Sequence, residues 1–231
     1  MQLENVTDSR RTEPKRGYDD ACGTAHALEL IGERWALLVL RELMLGPRRF
    51  SELKGDLPGI SANVLTQRLN DLEARGLVVK KRLPPPASVQ VYEATAWGLE
   101  AEPIVQALGR WAARSPRHDP TLPISGVSIL LSFRTMFDPV HVSEARDMKA
   151  TIAFRFGEDR YFVEIGDGTL TARRGEPETA DLVITAEPTM LAAVVYAKQP
   201  LDLVGIDGDR DLFQRFVDLF ELPPKVGADG G

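Results

Sequence analysis

The chain has 231 residues, 43% of them hydrophobic and 27% charged, with a formal net charge of −6. This composition is ordinary for a globular protein, and the length fits one large domain or two small ones. No apolar stretch approaches the roughly 20 residues that cross a bilayer, so we expect a cytoplasmic protein with no membrane partner. The lone Cys22 excludes an intramolecular disulfide framework, and the scattered histidines predict neither a metal site nor a cofactor.

The acidity is confined to the second half of the chain. Residues 1–118 carry 17 basic and 15 acidic side chains, a balance of +2, whereas residues 119–231 carry 11 and 19, a balance of −8. Basic residues in the first half gather at positions 48–54 and 68–82. A local cationic patch can hold phosphates whatever the net charge elsewhere, so nucleic acid is not excluded as a partner.

Composition divides the chain into two units. The N-terminus is polar and reads as a disordered arm, and "ARSPRHDPTLPISG" is rich in proline and lacks periodic apolar residues, which indicates a linker. We therefore expect a disordered arm (1–17), a first domain (18–115), a linker (116–126), a second domain (127–222) and a flexible tail (223–231).

The first domain reads as mainly helical. Apolar periodicity predicts a helix over 27–46 with a pause at Gly32 and a short helix over 48–57. A third helix over 61–75 begins at Ser61, whose hydroxyl is a favourable N-cap. Two short strands, "LVVKKRL" and "SVQVYEAT", follow, and Thr95 is expected to cap a last helix that ends near residue 113.

The third helix has an unusual exposed side. Leu65, Leu69 and Leu72 form its buried stripe, and the opposite face carries short uncharged hydrogen-bonding side chains. Amide side chains can pair with two atoms of adenine in the major groove, and a threonine methyl group can touch thymine. A winged helix-turn-helix domain has this same order of elements, which is two helices, a third helix with a polar face, and a hairpin. A merely solvated helix on an unrelated helical domain fits the pattern too.

The motifs of this domain resemble the HxlR family of bacterial transcriptional regulators. They are "ELIGERWALLVLREL", "GPRRFSELKGDLPGISANVLTQRLNDLEARGLV" and "VYEATAWG", and the resemblance covers about 18–115. It implies a winged-helix homodimer that binds an inverted-repeat operator in double-stranded DNA. The DNA-binding residues then expected are Arg48, Arg49, Ser61, Asn63, Thr66, Gln67, Arg68, Asn70, Lys80, Lys81 and Arg82. The family pattern makes Ile104, Leu108 and Trp111 interface residues of the dimer, while the wing tip "PPPAS" departs from it by lacking a basic residue.

The second domain reads as α+β. A helix over 127–137 precedes alternating strands that predict a meander, and helices are expected over 187–197 and 209–222, the last capped by Asp209. Its large apolar side chains either fill a core or line a cavity for a hydrophobic effector. The pocket candidates are Phe133, Phe137, Phe154, Phe156, Met190, Val194, Phe213, Phe216 and Phe220.

Residues 127–222 also resemble the sterol carrier protein-2 fold. The similarity rests on a strand-rich middle, on "DLVITAEP" and on "GDRDL" at the start of the last helix. This resemblance implies a hydrophobic tunnel for lipids or similar molecules. The fold class expected for the whole chain is therefore a mainly α winged helix-turn-helix domain followed by an α+β, sterol carrier protein-2-like domain.

Three functions follow from these patterns. The first is a homodimeric DNA-binding regulator, most often a repressor in such architectures, with a hydrophobic effector bound by the second domain. The second is a redox or electrophile sensor that uses Cys22, with a purely structural second domain. The third is a lipid carrier with an accessory DNA-binding module. None of the sequence motifs of common hydrolase, nucleotide-binding or metalloprotease sites is present, so we do not expect an enzyme.

Overall fold

The computed structural model describes residues 17–85, 87–138 and 147–227. Nearly all of the expected N-terminal arm lies outside the described residues. The first domain consists of α1 (Gly23–Ile31), α2 (Ala36–Glu42), α3 (Phe50–Asp56), α4 (Ala62–Ala74), β1 (Val78–Arg82), β2 (Gln90–Ala94), α5 (Ala96–Leu99) and α6 (Glu102–Ala113).

The helix expected over 27–46 is divided near the predicted pause at Gly32, and the helix expected after Thr95 is also divided. The first helix stops at Ile31 and resumes at Ala36, because Trp35 adopts a left-handed backbone conformation with φ of 78°. Non-glycine residues rarely adopt that conformation, so tertiary packing has to favour it. The last helix is interrupted after Leu99, and α6 restarts with Pro103 in its first turn, where the missing N–H is tolerated.

Helix α4 and the hairpin behind it form the expected helix-turn-helix and wing. The Ser61 hydroxyl accepts a hydrogen bond from the Val64 amide at 3.2 Å, which confirms it as the N-cap. Thr95 is likewise confirmed as the cap of α5, since its hydroxyl accepts from the Gly98 amide at 3.0 Å. The wing strands pair antiparallel, and Arg48 adds two backbone hydrogen bonds to Tyr92, of 2.9 and 2.8 Å.

The second domain is α+β, as expected. It contains α7 (Gly126–Met136), β3 (Ala150–Phe156), β4 (Asp159–Gly166), β5 (Thr169–Arg174), β6 (Leu182–Thr185), α8 (Pro188–Tyr196), a 3₁₀ turn (Leu201–Leu203), β7 (Gly205–Gly208) and α9 (Arg210–Asp218).

The sheet is not a simple meander. Its strand order is β5-β4-β3-β6-β7, and β6 pairs parallel with β3 while the other neighbours are antiparallel. The predicted meander would place β6 beside β5, and this expectation is wrong. Residues 205–208 pair with β6 as an edge strand, whereas Asp209 caps α9 as predicted, accepting from the Asp211 amide at 2.8 Å.

Alternate residues of the strands point to one face of this sheet, and α7, α8 and α9 cover that face. Ile152, Phe154 and Val163 are fully buried there, and their apolar side chains join a single cluster that also includes Leu40 and Leu65 of the first domain. The two domains therefore share one continuous hydrophobic core. Within the described residues, no helix is long and apolar enough to cross a membrane.

Candidate nucleic-acid interface

The polar side of α4 is exposed, as a base-reading helix requires. Asn63, Thr66, Gln67 and Asn70 all face solvent, together with the cap residue Ser61. The Thr66 hydroxyl is already engaged, because it donates to the Ala62 carbonyl oxygen at 2.9 Å. Among the residues that the structure describes, the three amide side chains have no hydrogen-bond partner. Their donors and acceptors are thus available to base edges.

Four of the basic residues expected to bind phosphate lie on the surface. Arg49 directly precedes α3 and has a 51% exposed side chain, and Lys80, Lys81 and Arg82 are exposed on β1. Lys81 lies 2.7 Å from the Glu93 carboxylate, and the Arg82 guanidinium donates to the Ser88 carbonyl oxygen at 3.1 Å. Surface ion pairs contribute little to stability, so these cations can turn to phosphates at small cost.

Arg48 does not belong to that surface, which corrects our expectation. Its side chain is 2% exposed, and its guanidinium donates to both carboxylate oxygens of Asp159, at 2.8 and 3.0 Å, and to the Asp56 carboxylate. Asp159 lies at the start of β4, in the second domain. Arg48 therefore joins the domains and does not bind phosphate.

Arg68 needs the same correction. Helical spacing placed it at the flank of the polar face, but its side chain is 9% exposed. The guanidinium lies 3.1 Å from the Asp71 carboxylate and 3.4 Å from that of Glu33. It fixes the body of α4 to the turn that precedes α2, and it does not reach the surface that the amides share.

Sequence analysis did not identify Arg174 and Tyr161, which belong to the polar cluster around Arg48. Arg174 donates to Asp159 at 2.9 Å and to the Tyr161 hydroxyl at 2.7 Å. Burial raises the pKa of the Asp56 carboxyl, although the neighbouring Arg48 acts to lower it. Burial likewise raises the pKa of Tyr161, which remains a neutral phenol in this cluster.

A second polar contact between the domains involves Glu42, at the end of α2. Glu42 is fully buried, accepts from the Arg41 guanidinium at 2.6 and 2.9 Å, and accepts from the Ser125 hydroxyl at 2.8 Å. Burial raises the pKa of its carboxyl, while Arg41 opposes that change. The only local signal was a charged residue inside the apolar run "ALLVLREL", and that signal did not reveal its partner 83 residues away.

The polypeptide after α9 also contacts the first domain. The Val226 amide donates to the Arg114 carbonyl oxygen at 2.8 Å, and the Lys225 ammonium donates to the carbonyl oxygens of Ala113 and His118, both at 3.0 Å. The described part of the expected flexible tail is thus held against the C-terminal end of α6.

The expected ligand pocket of the second domain is filled by its own side chains. The Phe133 ring lies 4.9 Å from Phe220, 5.2 Å from Phe216 and 5.9 Å from Phe154, centroid to centroid. Phe156, Val194 and Phe213 are buried in the same core, Phe137 is half-buried against it, and Met190 is 39% exposed. These contacts support the core-filling alternative for the buried residues of this set, although Phe156 also lines a cleft between the domains.

The residues expected at a dimer interface form an exposed apolar side of α6. Ile104, Leu108 and Trp111 are 48, 44 and 72% exposed. Leu28 on α1 and Leu38 on α2 are exposed as well, at 49 and 39%. Large apolar side chains grouped on a surface are typical of protein–protein contacts.

Comparison with known proteins divides the chain at the same place as its composition. A model of the HxlR-like helix-turn-helix family matches residues 30–119, and a model of the alkyl sulfatase C-terminal family matches residues 132–226. The first domain is 43% identical over 94 residues to the uncharacterised HTH-type transcriptional regulator YkvN of Bacillus subtilis, covering 39% of this chain and 77% of that protein. The chain belongs to the HxlR-like helix-turn-helix family.

Two further similarities concern one relative. The HTH-type transcriptional regulator YodB of Bacillus subtilis is 35% identical over 86 residues, which cover 37% of this chain and 77% of that protein. The solved structure of its reduced form superposes with a TM-score of 0.39 at 31% identity, covering 43% of this chain and all of that one. The second domain matches the alkyl sulfatase C-terminal family, a different assignment from the sterol carrier protein-2 fold that the sequence motifs indicated.

The adjacent residues Arg48 and Arg49 provide a matched pair for a stability test. We expect Arg48→Ala to lower the free energy of unfolding by about 2–3 kcal/mol, because Asp56 would lose its buried counter-charge and Asp159 would keep only Arg174. Arg49→Ala removes an exposed side chain and should change it by less than about 0.5 kcal/mol. Urea unfolding of both variants measures the difference. Equal effects would contradict the role of Arg48 in joining the domains.

Proposed function

We propose that the protein is a sequence-specific, homodimeric DNA-binding transcriptional regulator that acts in the bacterial cytoplasm and reads an inverted repeat in double-stranded DNA. The observation that carries the proposal is the exposed amide face of α4, on a capped helix whose opposite side is locked into the core. Membership in the HxlR-like helix-turn-helix family supports it. Repression is the outcome that we propose.

In this proposal, α4 enters the major groove. Asn63, Gln67 and Asn70 pair with base edges, and Ser61 and Thr66 lie beside the groove walls. Arg49 and the wing cations Lys80, Lys81 and Arg82 contact phosphates, which positions the helix without reading sequence. Affinity should consequently fall steeply as salt rises, with a slope set by the number of phosphates neutralised.

The same proposal assigns α6 to dimerisation. Ile104, Leu108 and Trp111 would pack against a second copy, and a twofold axis between two α4 helices would match an inverted repeat. Their exposure supports this assignment, because a monomer would leave a large indole and two aliphatic side chains in water.

For the second domain we propose a sterol carrier protein-2-like fold with a regulatory role. A five-stranded sheet with helices packed on one face supports that resemblance. A hydrophobic effector would act by changing how this domain is held against the first domain at Arg48 and Glu42. A ligand shifts such an equilibrium only by its difference in affinity for the two arrangements.

Specific and nonspecific contacts can be separated with one substitution of each kind. Gln67→Ala should cost about 1–3 kcal/mol on the preferred site and relax the preference at one base position. Arg49→Ala should weaken binding to all sequences alike. Selection from a random DNA pool identifies the site, and gel-shift titrations on that site and on random DNA measure both variants. The regulator proposal fails if the purified protein selects no sequence, or if both variants act equally on both DNAs.

The dimer is tested by placing a charge on the exposed side of α6. Trp111→Glu should convert the dimer into monomers, because a desolvated carboxylate without a partner is costly at an interface. Leu203→Glu is the matched control, as Leu203 is a 46% exposed apolar residue in the second domain. Sedimentation analysis gives the molar mass of each variant. A Trp111→Glu protein that remains dimeric would exclude α6 from the interface.

One observation favours the redox alternative as a second candidate. Cys22 is exposed at the N-cap of α1, where the backbone amides of Thr24 and then Ala25 lower the pKa of its thiol. A lowered thiol pKa at a helix N-terminus increases the thiolate fraction and its reactivity.

Treatment with hydrogen peroxide distinguishes the two candidates. If Cys22 is the input, peroxide should release the wild-type protein from its DNA site and leave the Cys22→Ser variant bound. If the second domain is the input, peroxide should leave the DNA affinity of both proteins unchanged. Release of both proteins would show that oxidation acts elsewhere in the chain.

A further inference from the structure

We propose that the cleft between the two domains is an effector site for a small organic cation with an apolar body. The cleft has a volume of about 340 Å³, near the lower end of the range for small-molecule sites. We call it the junction cleft. This inference rests on the proposed function, because it assigns the input site of the regulator.

Both domains contribute walls to the junction cleft. From the first domain come Gly55, Asp56 and Pro58, at the end of α3 and in the turn that leads into α4. From the second domain come Ile124, Phe156 and Asp159, with Glu187 and Pro188 at the rim. A ligand here would touch the turn of the helix-turn-helix and the second domain at once.

The chemistry of the lining selects the class of ligand. Ile124, Phe156 and three prolines supply apolar surface for a hydrocarbon or aromatic body. The charged residues of the lining are three carboxylates, Asp56, Asp159 and Glu187, and no Lys or Arg lines the described wall.

The guanidinium groups around the lining do not cancel its negative charge. Arg160 donates to the Gly157 and Asp159 carbonyl oxygens, but its charge is paired with Glu176, 3.2 Å away and outside the cleft. Arg48 binds Asp56 and Asp159, and Arg174 binds Asp159, so these two guanidinium groups offset two of the three carboxylates. Glu187 makes no ion pair among the described residues. An ionised carboxylate accepts about four hydrogen bonds, which leaves acceptor positions for an ammonium or amidinium group.

Two helix N-termini line the cleft, and the amides they can offer to an anion are reduced in number. The first turn of α7 is capped by Ser125, whose hydroxyl accepts from the Ser128 amide at 3.0 Å. Helix α8 begins with Pro188, which has no N–H to offer. Charge complementarity therefore favours a cation over a carboxylate or phosphate.

Because of where the cleft lies, a ligand bound there would affect the contact between the two domains. Asp56 and Asp159 are the two carboxylates that hold Arg48, so a bound cation competes with Arg48 for them. Weakening this link frees α3 and the turn before α4 from the second domain. By linkage, DNA and the ligand must change each other's affinity by the same factor.

Benzamidine is a suitable probe, with neutral benzamide and anionic benzoate as controls of similar shape. Calorimetric titration of the full-length protein should show one benzamidine bound per chain, with benzamide at least about fivefold weaker and benzoate not bound. Gly55→Leu should abolish binding by filling the cleft. A Cβ at Gly55 meets no atom within 4 Å, and leucine is the better helix former, so this variant should fold.

Two carboxylate variants test the charge. Glu187→Gln should weaken benzamidine about two- to fivefold, as expected for one exposed charge at the rim. Glu178→Gln removes an exposed carboxylate outside the cleft and should leave the affinity unchanged. The proposal is overturned if benzamide or benzoate binds as tightly as benzamidine, or if Gly55→Leu still binds it.

A gel shift with benzamidine present separates this proposal from the regulator proposal. Saturating benzamidine should weaken wild-type binding to the selected DNA site by at least about threefold and leave Gly55→Leu unaffected. If the protein selects a DNA sequence but does not bind benzamidine, only the cleft proposal is contradicted. If the protein binds benzamidine but selects no DNA sequence, the regulator proposal is contradicted instead.

Discussion

The arrangement of the whole molecule depends on the burial of one guanidinium group. Arg48 is 2% exposed and has lost its hydration, so it is stable only where carboxylates replace water. One of them, Asp56, is on α3, and the other, Asp159, belongs to the second domain. The backbone of Arg48 also pairs with Tyr92 in the wing. One residue therefore connects α3, the wing and the second domain. Separating the domains would break the Arg48–Asp159 contacts, leaving Arg48 with Asp56 alone and Asp159 with Arg174 alone.

In the proposed regulator, this connection would let the second domain influence DNA binding without touching DNA. Helix α4 follows α3 after a short turn, in which Gly59 has φ of +89° and the Trp35 indole lies 3.8 Å from where a Cβ would stand. The unusual backbone of Trp35 brings its ring against this turn. The orientation of α4 is thus fixed from the Trp35 side and from the Arg48 side, and only the second depends on the second domain. A regulatory ligand has to act on that side.

Local features could be predicted from the sequence, and features that depend on distant partners could not. Ser61, Thr95 and Asp209 are caps because their hydroxyl or carboxylate groups satisfy amides two or three residues ahead. Arg48 and Arg49 are adjacent arginines, yet Arg48 is buried and Arg49 is exposed. The difference depends on Asp159, which binds Arg48 from a position 111 residues away in the sequence. The parallel pairing of β6 with β3 is equally non-local, and the short strand β7 has too few side chains for a periodic signal.

The loss of Arg48 and Arg68 from the surface changes how an acidic protein can bind DNA. Of the six basic residues expected to bind DNA, four remain exposed, namely Arg49, Lys80, Lys81 and Arg82, while the second half of the chain carries a charge of −8. Few phosphate contacts give weak binding to random DNA. In the proposed dimer, most of the discrimination would then come from base contacts made by the amides of α4, and each half-site would contribute both its base contacts and its phosphate contacts. An uncharged reading face suits this requirement, because its hydrogen bonds are directional and lose little strength when salt screens the charges.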